Sequence, residues 1–108
     1  MPEQYIKKLI EMSNSRFDIE KYHTVDIRLT HRDFEGTPQK HPYDEKLLIL
    51  LSDPFSNNRD YLELTLESIG KIEEIGTLTD EDGNSAIRVR VWIKKGTPAI
   101  RSKPFIIK

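Results

Sequence analysis

The sequence predicts a mainly β protein of the α+β class. It would be a curved antiparallel sheet, or a small partly open β-barrel, of about six strands with one N-terminal α-helix. Three observations predict this class. Apolar and polar side chains alternate over residues 85–94, a period of two that is typical of a half-buried strand. Short apolar segments separated by turn residues recur further along the chain. Apolar side chains at helical spacing stand out near the N-terminus.

Length and composition indicate one domain over residues 1–108, with a helix at about 3–12 and a β-rich body at about 23–107. The 17 basic and 18 acidic side chains give a net charge of -1, so nothing attracts the whole chain to nucleic acid or anionic lipid. The absence of cysteine excludes disulfides, thiolate metal sites and cysteine nucleophiles. The longest apolar run, Leu47–Leu51, is too short to span a bilayer. We expect a cytoplasmic protein without a membrane partner.

The predicted helix begins after Pro2, which suits a first-turn position, and Glu3 complements the positive end of the helix dipole. One face is apolar and consists of Tyr5, Ile6, Leu9, Ile10 and Met12. Short helices depend on tertiary burial, so we expect this face to pack on the sheet.

The next elements are two strands and a connection. Val25, Ile27 and Leu29 alternate with polar residues and predict a first strand. His31–Asp44 is polar and contains glycine and proline, which predicts a long connection. Lys46–Leu51 is apolar, short and followed by a turn, which predicts a central strand buried on both faces.

Residues 59–75 fit two structures. Leu62, Leu64 and Leu66 alternate with polar residues, which favours a strand over Tyr61–Glu67 and another over Lys71–Leu78. Helical spacing of some of the same apolar residues leaves an open sheet with a central helix over 59–75 as the alternative fold.

A hairpin is predicted at Asp82-Gly83, since this dipeptide favours a two-residue turn. That register pairs Leu78 with Ile87 and Ile72 with Ile93. A bulge near Gly76 would restore the remaining apolar residues to the core face. The last strand is predicted over Ala99–Ile107, with Pro104 at an edge or bulged position.

The outward face of the long strand carries cations around one indole, and the last strand adds two more. These candidate ligand-binding residues are Arg88, Arg90, Trp92, Lys94, Arg101 and Lys103. If the two strands pair, the cluster would bind an anionic ligand or protein partner. Nucleic acid is a further partner class, which the net charge disfavours. The competing interpretation is compensation by Glu63, Glu67 and Glu73 across the sheet, which requires no ligand.

A second group of residues suits chemistry. His41 and Asp44 lie in one polar segment and Asp53 follows the buried strand, so the three are candidate catalytic residues for proton transfer. Turn formation is the structural alternative for the two aspartates. The three histidines lack metal-ligand spacing, so we expect no metal and no cofactor.

Several stretches carry a resemblance: Gly36-Thr37-Pro38-Gln39-Lys40-His41-Pro42-Tyr43-Asp44, Ser52-Asp53-Pro54, Arg88 to Gly96, Ile100-Arg101 and Pro104-Phe105. Together they resemble a group of small bacterial proteins, some of which carry the name inorganic pyrophosphatase. The resemblance implies pyrophosphate hydrolysis as a candidate activity. Pyrophosphatases of the barrel type hold magnesium with an Asp-x-Asp-Pro-x-Asp run, where this chain has Ser52-Asp53-Pro54-Phe55. The resemblance therefore assigns no catalytic residue in this chain.

Three function classes follow. The first is a non-enzymatic binding or adaptor module with a cationic, tryptophan-containing sheet face for an anionic partner. The second is a metal-dependent hydrolase of phosphate esters or pyrophosphate. The third is a structural protein that assembles through an open sheet edge such as the final strand, with homo-oligomers left open.

Overall fold

The structure is a computed structural model that describes residues 5–11, 26–56 and 60–108. Residues 5–11 are helical (α1), and a short helix (α2) covers Ile27–Thr30. The strands are β1 His31–Lys40, β2 Leu47–Leu51, β3 Tyr61–Thr65, β4 Ile69–Thr79, β5 Ser85–Lys94, β6 Pro98–Arg101 and β7 Lys103–Ile106. A 3-10 turn, Leu66–Ser68, joins β3 to β4.

All strands of the described residues belong to one open antiparallel sheet in the order β4-β5-β1-β2-β3-β6-β7. The predicted mainly β class with an N-terminal helix is confirmed. β1 joins the two halves of the sheet, because His31–Gly36 pair with β5 and Thr37–Lys40 pair with β2. The two halves of the sheet therefore meet in β1, where the pairing partner changes between Gly36 and Thr37.

The core lies between α1 and one face of the sheet. It consists of Ile6, Leu9, Leu48, Leu50, Leu62, Leu64, Ile69, Ile72, Val89, Val91, Ile93, Ala99 and Ile107. Burial of a side chain of this size contributes about 1.5–3 kcal/mol. The predicted helix is confirmed over residues 5–11, where Ile6 and Leu9 are buried, while its predicted ends at Pro2, Glu3 and Met12 lie outside the described residues.

The predicted strand through Ile27 and Leu29 is wrong, since Ile27–Thr30 is helical. The Asp26 side chain accepts a hydrogen bond from the Arg28 backbone N–H at 2.9 Å and so caps this turn. The Arg28 guanidinium also donates to Asp26, which lowers the pKa of this carboxyl to about 2. Leu29 is 70% exposed, so no core contact favours the extended form. Val25 lies outside the described residues.

The predicted connection over His31–Asp44 is also wrong, because β1 occupies most of it. Gly36 lies inside this strand because there is no room for a side chain at its position. A Cβ atom there would lie 2.6 Å from the Leu51 carbonyl oxygen and 2.8 Å from Leu50 Cγ. The close approach of β1 and β2 therefore requires glycine.

The predicted strands around residues 47–79 are confirmed, and the alternative helix over 59–75 is wrong. β2 is central, between β1 and β3. Its Leu48 and Leu50 are buried, while Leu47 and Ile49 on the opposite face are half-buried. On β3, Leu62 and Leu64 alternate with more exposed residues, as the period of two predicted.

The hairpin between β4 and β5 has a three-residue loop instead of the predicted two-residue loop. Asp80 N–H donates to the Asn84 carbonyl at 2.9 Å, and Gly83 N–H donates to the Asp80 carbonyl at 3.2 Å. Gly83, at φ 84°, supplies the left-handed residue that such loops need. The register is therefore shifted by one residue, and Leu78 pairs with Ala86.

Two irregularities interrupt the β4–β5 ladder. The shift between Glu74 and Gly76 confirms the predicted bulge near Gly76. A second shift, between Ile69 and Lys71, surrounds Gly70. As a result Ile72 pairs with Val91 and not with Ile93. The side chains of Ile72 and Val91 are both buried in the core.

The predicted last strand is divided. β6 and β7 form a hairpin around Ser102, which has a φ of 55°. β6 pairs with β3, so the expected pairing of the last strand with the long strand β5 is wrong. Pro104 lies on the edge strand β7, as predicted, where its missing N–H removes one donor from the open edge.

Candidate functional site

The outer face of β4, β5 and β1 is the surface opposite the core, and charged residues line it in cross-strand rows. Arg90 lies between Glu35 of β1 and Glu73 of β4. Trp92 lies between Asp33 and Lys71 in the next row. Basic and acidic side chains therefore alternate across this face.

Arg90 is surrounded by carboxylates. Its Nε lies 3.8 Å from Asp33 Oδ2, and its Nη2 lies 3.9 Å from Glu35 Oε1. Exposed ion pairs of this length contribute little to stability. They do reduce the positive potential that Arg90 offers to an anion. The sequence assigned this compensation to Glu63, Glu67 and Glu73, whereas the ion pairs of Arg90 come from Asp33 and Glu35, with Glu73 as its neighbour on β4.

Trp92 is half-buried, and its indole donor is bonded within the sheet. Nε1 donates to Glu73 Oε1 at 2.6 Å. Lys71, and not Glu73, is the direct cross-strand neighbour of Trp92, so the carboxylate reaches the indole diagonally. A direct pairing of Glu73 with Trp92, as the two-residue turn would give, is therefore wrong, and the contact between them is diagonal.

Arg88 lies towards the start of β5, and Lys94 lies at its end. Arg88 Nη1 lies 3.5 Å from the Ser52 carbonyl oxygen and donates to it, next to the turn that holds Asp53. Lys94 is exposed at the other end, where His31 is its cross-strand neighbour. Six residues of a strand span about 20 Å, so the two cations cannot contact one small ligand.

Arg101 and Lys103 lie apart from the cations of β5. They are neighbours across the β6–β7 hairpin, and three strands separate β6 from β5 in the sheet order. Arg101 shares its side of the sheet with the buried Ala99, whereas Arg90 lies on the outer face. The cluster of five cations expected from the sequence therefore does not form.

A different group of cations gathers where β5 ends and β1 begins. We call it the basic end, and it comprises Arg32, Lys94 and Lys95. The backbone brings the two strand ends together, because Lys95 N–H donates to the Thr30 carbonyl at 2.9 Å. Arg32 pairs with the buried Ile93 and lies on the core side of the sheet, whereas Lys94 pairs with His31 on the outer face, so the cations flank this end of the sheet from both sides. All three are exposed, and none forms an ion pair within the described part of the chain.

Sequence reasoning missed two members of the basic end. Arg32 was assigned to a connection, because Gly36 and Pro38 concealed the strand that holds it. Lys95 follows the last residue of the alternating pattern, so the pattern assigned it to neither face of the sheet. The alternation of Phe34 between Asp33 and Glu35 was the signal for a strand here, and three such residues are too few to outweigh a glycine and a proline.

His41 is bonded through both ring nitrogens. Nδ1 accepts from the backbone N–H groups of Tyr43 and Asp44 at 3.1 and 3.0 Å. The ring proton of this tautomer therefore sits on Nε2, which lies 3.3 Å from Glu63 Oε1. Asp44 Oδ1 in turn accepts from Lys46 N–H at 2.9 Å. These contacts hold the turn between β1 and β2.

Asp53 is separate from His41 and Asp44. It follows β2, whereas the other two precede this strand, and five strand residues span roughly 16 Å. Asp53 Oδ1 accepts from Phe55 N–H at 3.0 Å, which is a turn-forming contact. The three candidate catalytic residues are thus not brought together. Over residues 5–11, 26–56 and 60–108, no group of three or more histidine and acidic side chains could hold a metal ion.

Comparison with known proteins returned no match, neither to a family model, nor to a curated protein, nor to a solved structure. None of the helices described is long and apolar enough to cross a bilayer.

Proposed function

We propose that this chain is a non-enzymatic binding module that recognises an acidic partner through its basic end. The observation that carries the proposal is the grouping of three exposed cations at the paired ends of β1 and β5, beside a face on which Arg90 is compensated. Arg90 is compensated by carboxylates, whereas Arg32, Lys94 and Lys95 are exposed without an ion pair in the described structure. Uncompensated cations at one end of the sheet provide the local attraction that a net charge of -1 does not.

An acidic protein surface fits this site better than a single-stranded nucleic acid. Nucleic acid would need an exposed aromatic ring for stacking beside free arginines. Trp92 is half-buried with its N–H bonded to Glu73, and Arg90 has Asp33 and Glu35 beside it. The central rows therefore offer no free aromatic ring for base stacking, while the basic end remains accessible to side-chain carboxylates.

Binding of labelled poly-L-glutamate, measured by fluorescence anisotropy at about 0.01 M salt, tests this proposal. We expect R32E/K94E to weaken binding by about tenfold or more, because exposed pairs contribute up to about 1 kcal/mol each. We also expect about 1 M salt to abolish it, because the Debye length falls to about 3 Å.

The matched control is K40E/K46E, which reverses two exposed lysines at the other end of β1, next to the turn into β2. It should change binding much less than R32E/K94E does. Equal losses in both variants would show a response to net charge alone and would contradict the proposal. Tighter binding of oligo-dT than of poly-L-glutamate of the same length would contradict the choice of partner class.

A further inference from the structure

The β4–β5 hairpin extends beyond the rest of the sheet. β1 pairs with β5 only as far as Gly36 and Val89, so Ser85–Arg88 pair with β4 alone. We call residues 76–88 the arm. Its free end is available for contact with another molecule, since no strand of the described sheet lies beside it.

The end of the arm is acidic and well ordered by its own hydrogen bonds. Asp80 accepts from the backbone N–H groups of Asp82 and Asn84 and from the Asn84 side-chain amide, at 3.0, 2.8 and 3.0 Å. The Asn84 amide bond is the main reason that the pKa of Asp80 is lowered, so this carboxyl is charged at neutral pH. Glu81 and Asp82 are exposed and form no ion pair within the described residues.

These acidic residues cannot reach the basic end of the same molecule. β5 lies between the two groups and spans about 30 Å, in a molecule whose longest dimension is 46 Å. One end of the β4–β5 hairpin therefore carries three acids, and the far end of β5 carries exposed cations without an ion pair in the described structure. A second copy presents each end with its complement.

We propose that the chain associates head to tail, with Asp80, Glu81 and Asp82 of one copy docked on Arg32, Lys94 and Lys95 of the next. This proposal rests on the proposed function, because it uses the same basic end and names a second copy as the acidic partner. Such an interface joins different surfaces of the two copies, so it generates rings or open chains and not a two-fold dimer.

Sedimentation-velocity measurements with paired charge reversals test the proposal. E81K/D82K makes both ends basic, and R32E/K94E makes both ends acidic. At about 0.01 M salt we expect the wild-type chain to sediment faster with rising concentration. Each variant alone should remain monomeric, and an equimolar mixture of the two should associate, because each supplies the complement that the other lacks.

Controls separate this proposal from folding effects and from the proposed function. E45K/D60K reverses two exposed acids outside the arm and should associate as the wild type does. E81Q/D82N removes the charges with little change of shape and should also lose association. E81K/D82K should keep its binding of poly-L-glutamate, since its basic end is intact.

A wild-type chain that stays monomeric at every concentration and salt overturns head-to-tail association. If that chain still binds poly-L-glutamate, the proposed function stands without it. Association that persists in R32E/K94E or in E81K/D82K alone would also overturn the proposal, because it would place the contact elsewhere. Absence of both self-association and poly-L-glutamate binding would overturn both.

Discussion

At the scale of single residues, Gly36 shows how a close backbone contact can conceal a strand in the sequence. Glycine and proline weaken strand patterns in general, and Gly36 and Pro38 made this segment resemble a connection. Here the glycine is required by its neighbour, since a Cβ would collide with the Leu51 carbonyl oxygen and with Leu50. Such a contact depends on tertiary structure and leaves no signal in the adjacent residues.

Gly36→Ala should therefore destabilise the protein, by about 1–3 kcal/mol in free energy of unfolding, because the extra methyl must displace a backbone carbonyl. Urea denaturation followed by far-UV circular dichroism measures this change. Gln39→Ala, an exposed position on the same strand, serves as the control and should stay within about 0.5 kcal/mol of wild type. Equal stability of Gly36→Ala and wild type would contradict the close approach of β1 and β2.

At the scale of elements, the length of an unbroken pattern decided what the sequence could predict. The bounds of β5 match the alternation from Ser85 to Lys94, because the side chains of this strand alternate without interruption between the core and the outer face. α2 was predicted as a strand because its residues alternate in polarity. Its four residues are too few for that alternation to outweigh a helix cap such as the one Asp26 provides. The β4–β5 loop was predicted one residue too short, because the hydrogen bonds of Asp80 choose the loop type.

The same hydrogen bonds give the hairpin a pH dependence. A carboxyl whose pKa is lowered on folding contributes stability above its unfolded value, about 3.9, and loses it as pH falls through the folded value. We expect an NMR titration to place the pKa of Asp80 below about 3.9. Asn84→Ala should raise it towards that value, because the largest cause of the shift is removed.

Ser85→Ala is the matched control for that titration, since Ser85 lies beside Asn84 and is exposed. It should leave the pKa of Asp80 as in the wild type. An Asp80 pKa that does not respond to Asn84→Ala would contradict the described loop geometry.

At the scale of the whole molecule, strand order was beyond sequence reasoning. The patterns predicted most of the strands. One of the two neighbours of β5 is β1, however, and the sequence did not indicate β1 as a strand. The expected cation cluster assumed that β5 pairs with the strand next along the chain, and the sheet instead places β1, β2 and β3 between β5 and β6. His41, Asp44 and Asp53 were likewise close in sequence and are separated by the length of β2.

The two halves of the sheet share one core, which predicts how the molecule unfolds. Ile6 of α1 is 4% exposed and packs in the cluster that contains Leu64 of one half and Val91 of the other. Ile6→Ala should lower the free energy of unfolding by about 2–5 kcal/mol, because it leaves a cavity between them. Lys8→Ala, an exposed position on the same helix, should have little effect.

The transition itself should stay cooperative in Ile6→Ala. Trp92 fluorescence reports on the half of the sheet that contains β5, and far-UV circular dichroism reports on both halves. Because neither half can bury its apolar face without the other, both signals should change with one midpoint in urea. Separate midpoints would show that the halves fold as independent units. A shared core would then be the wrong description of this molecule.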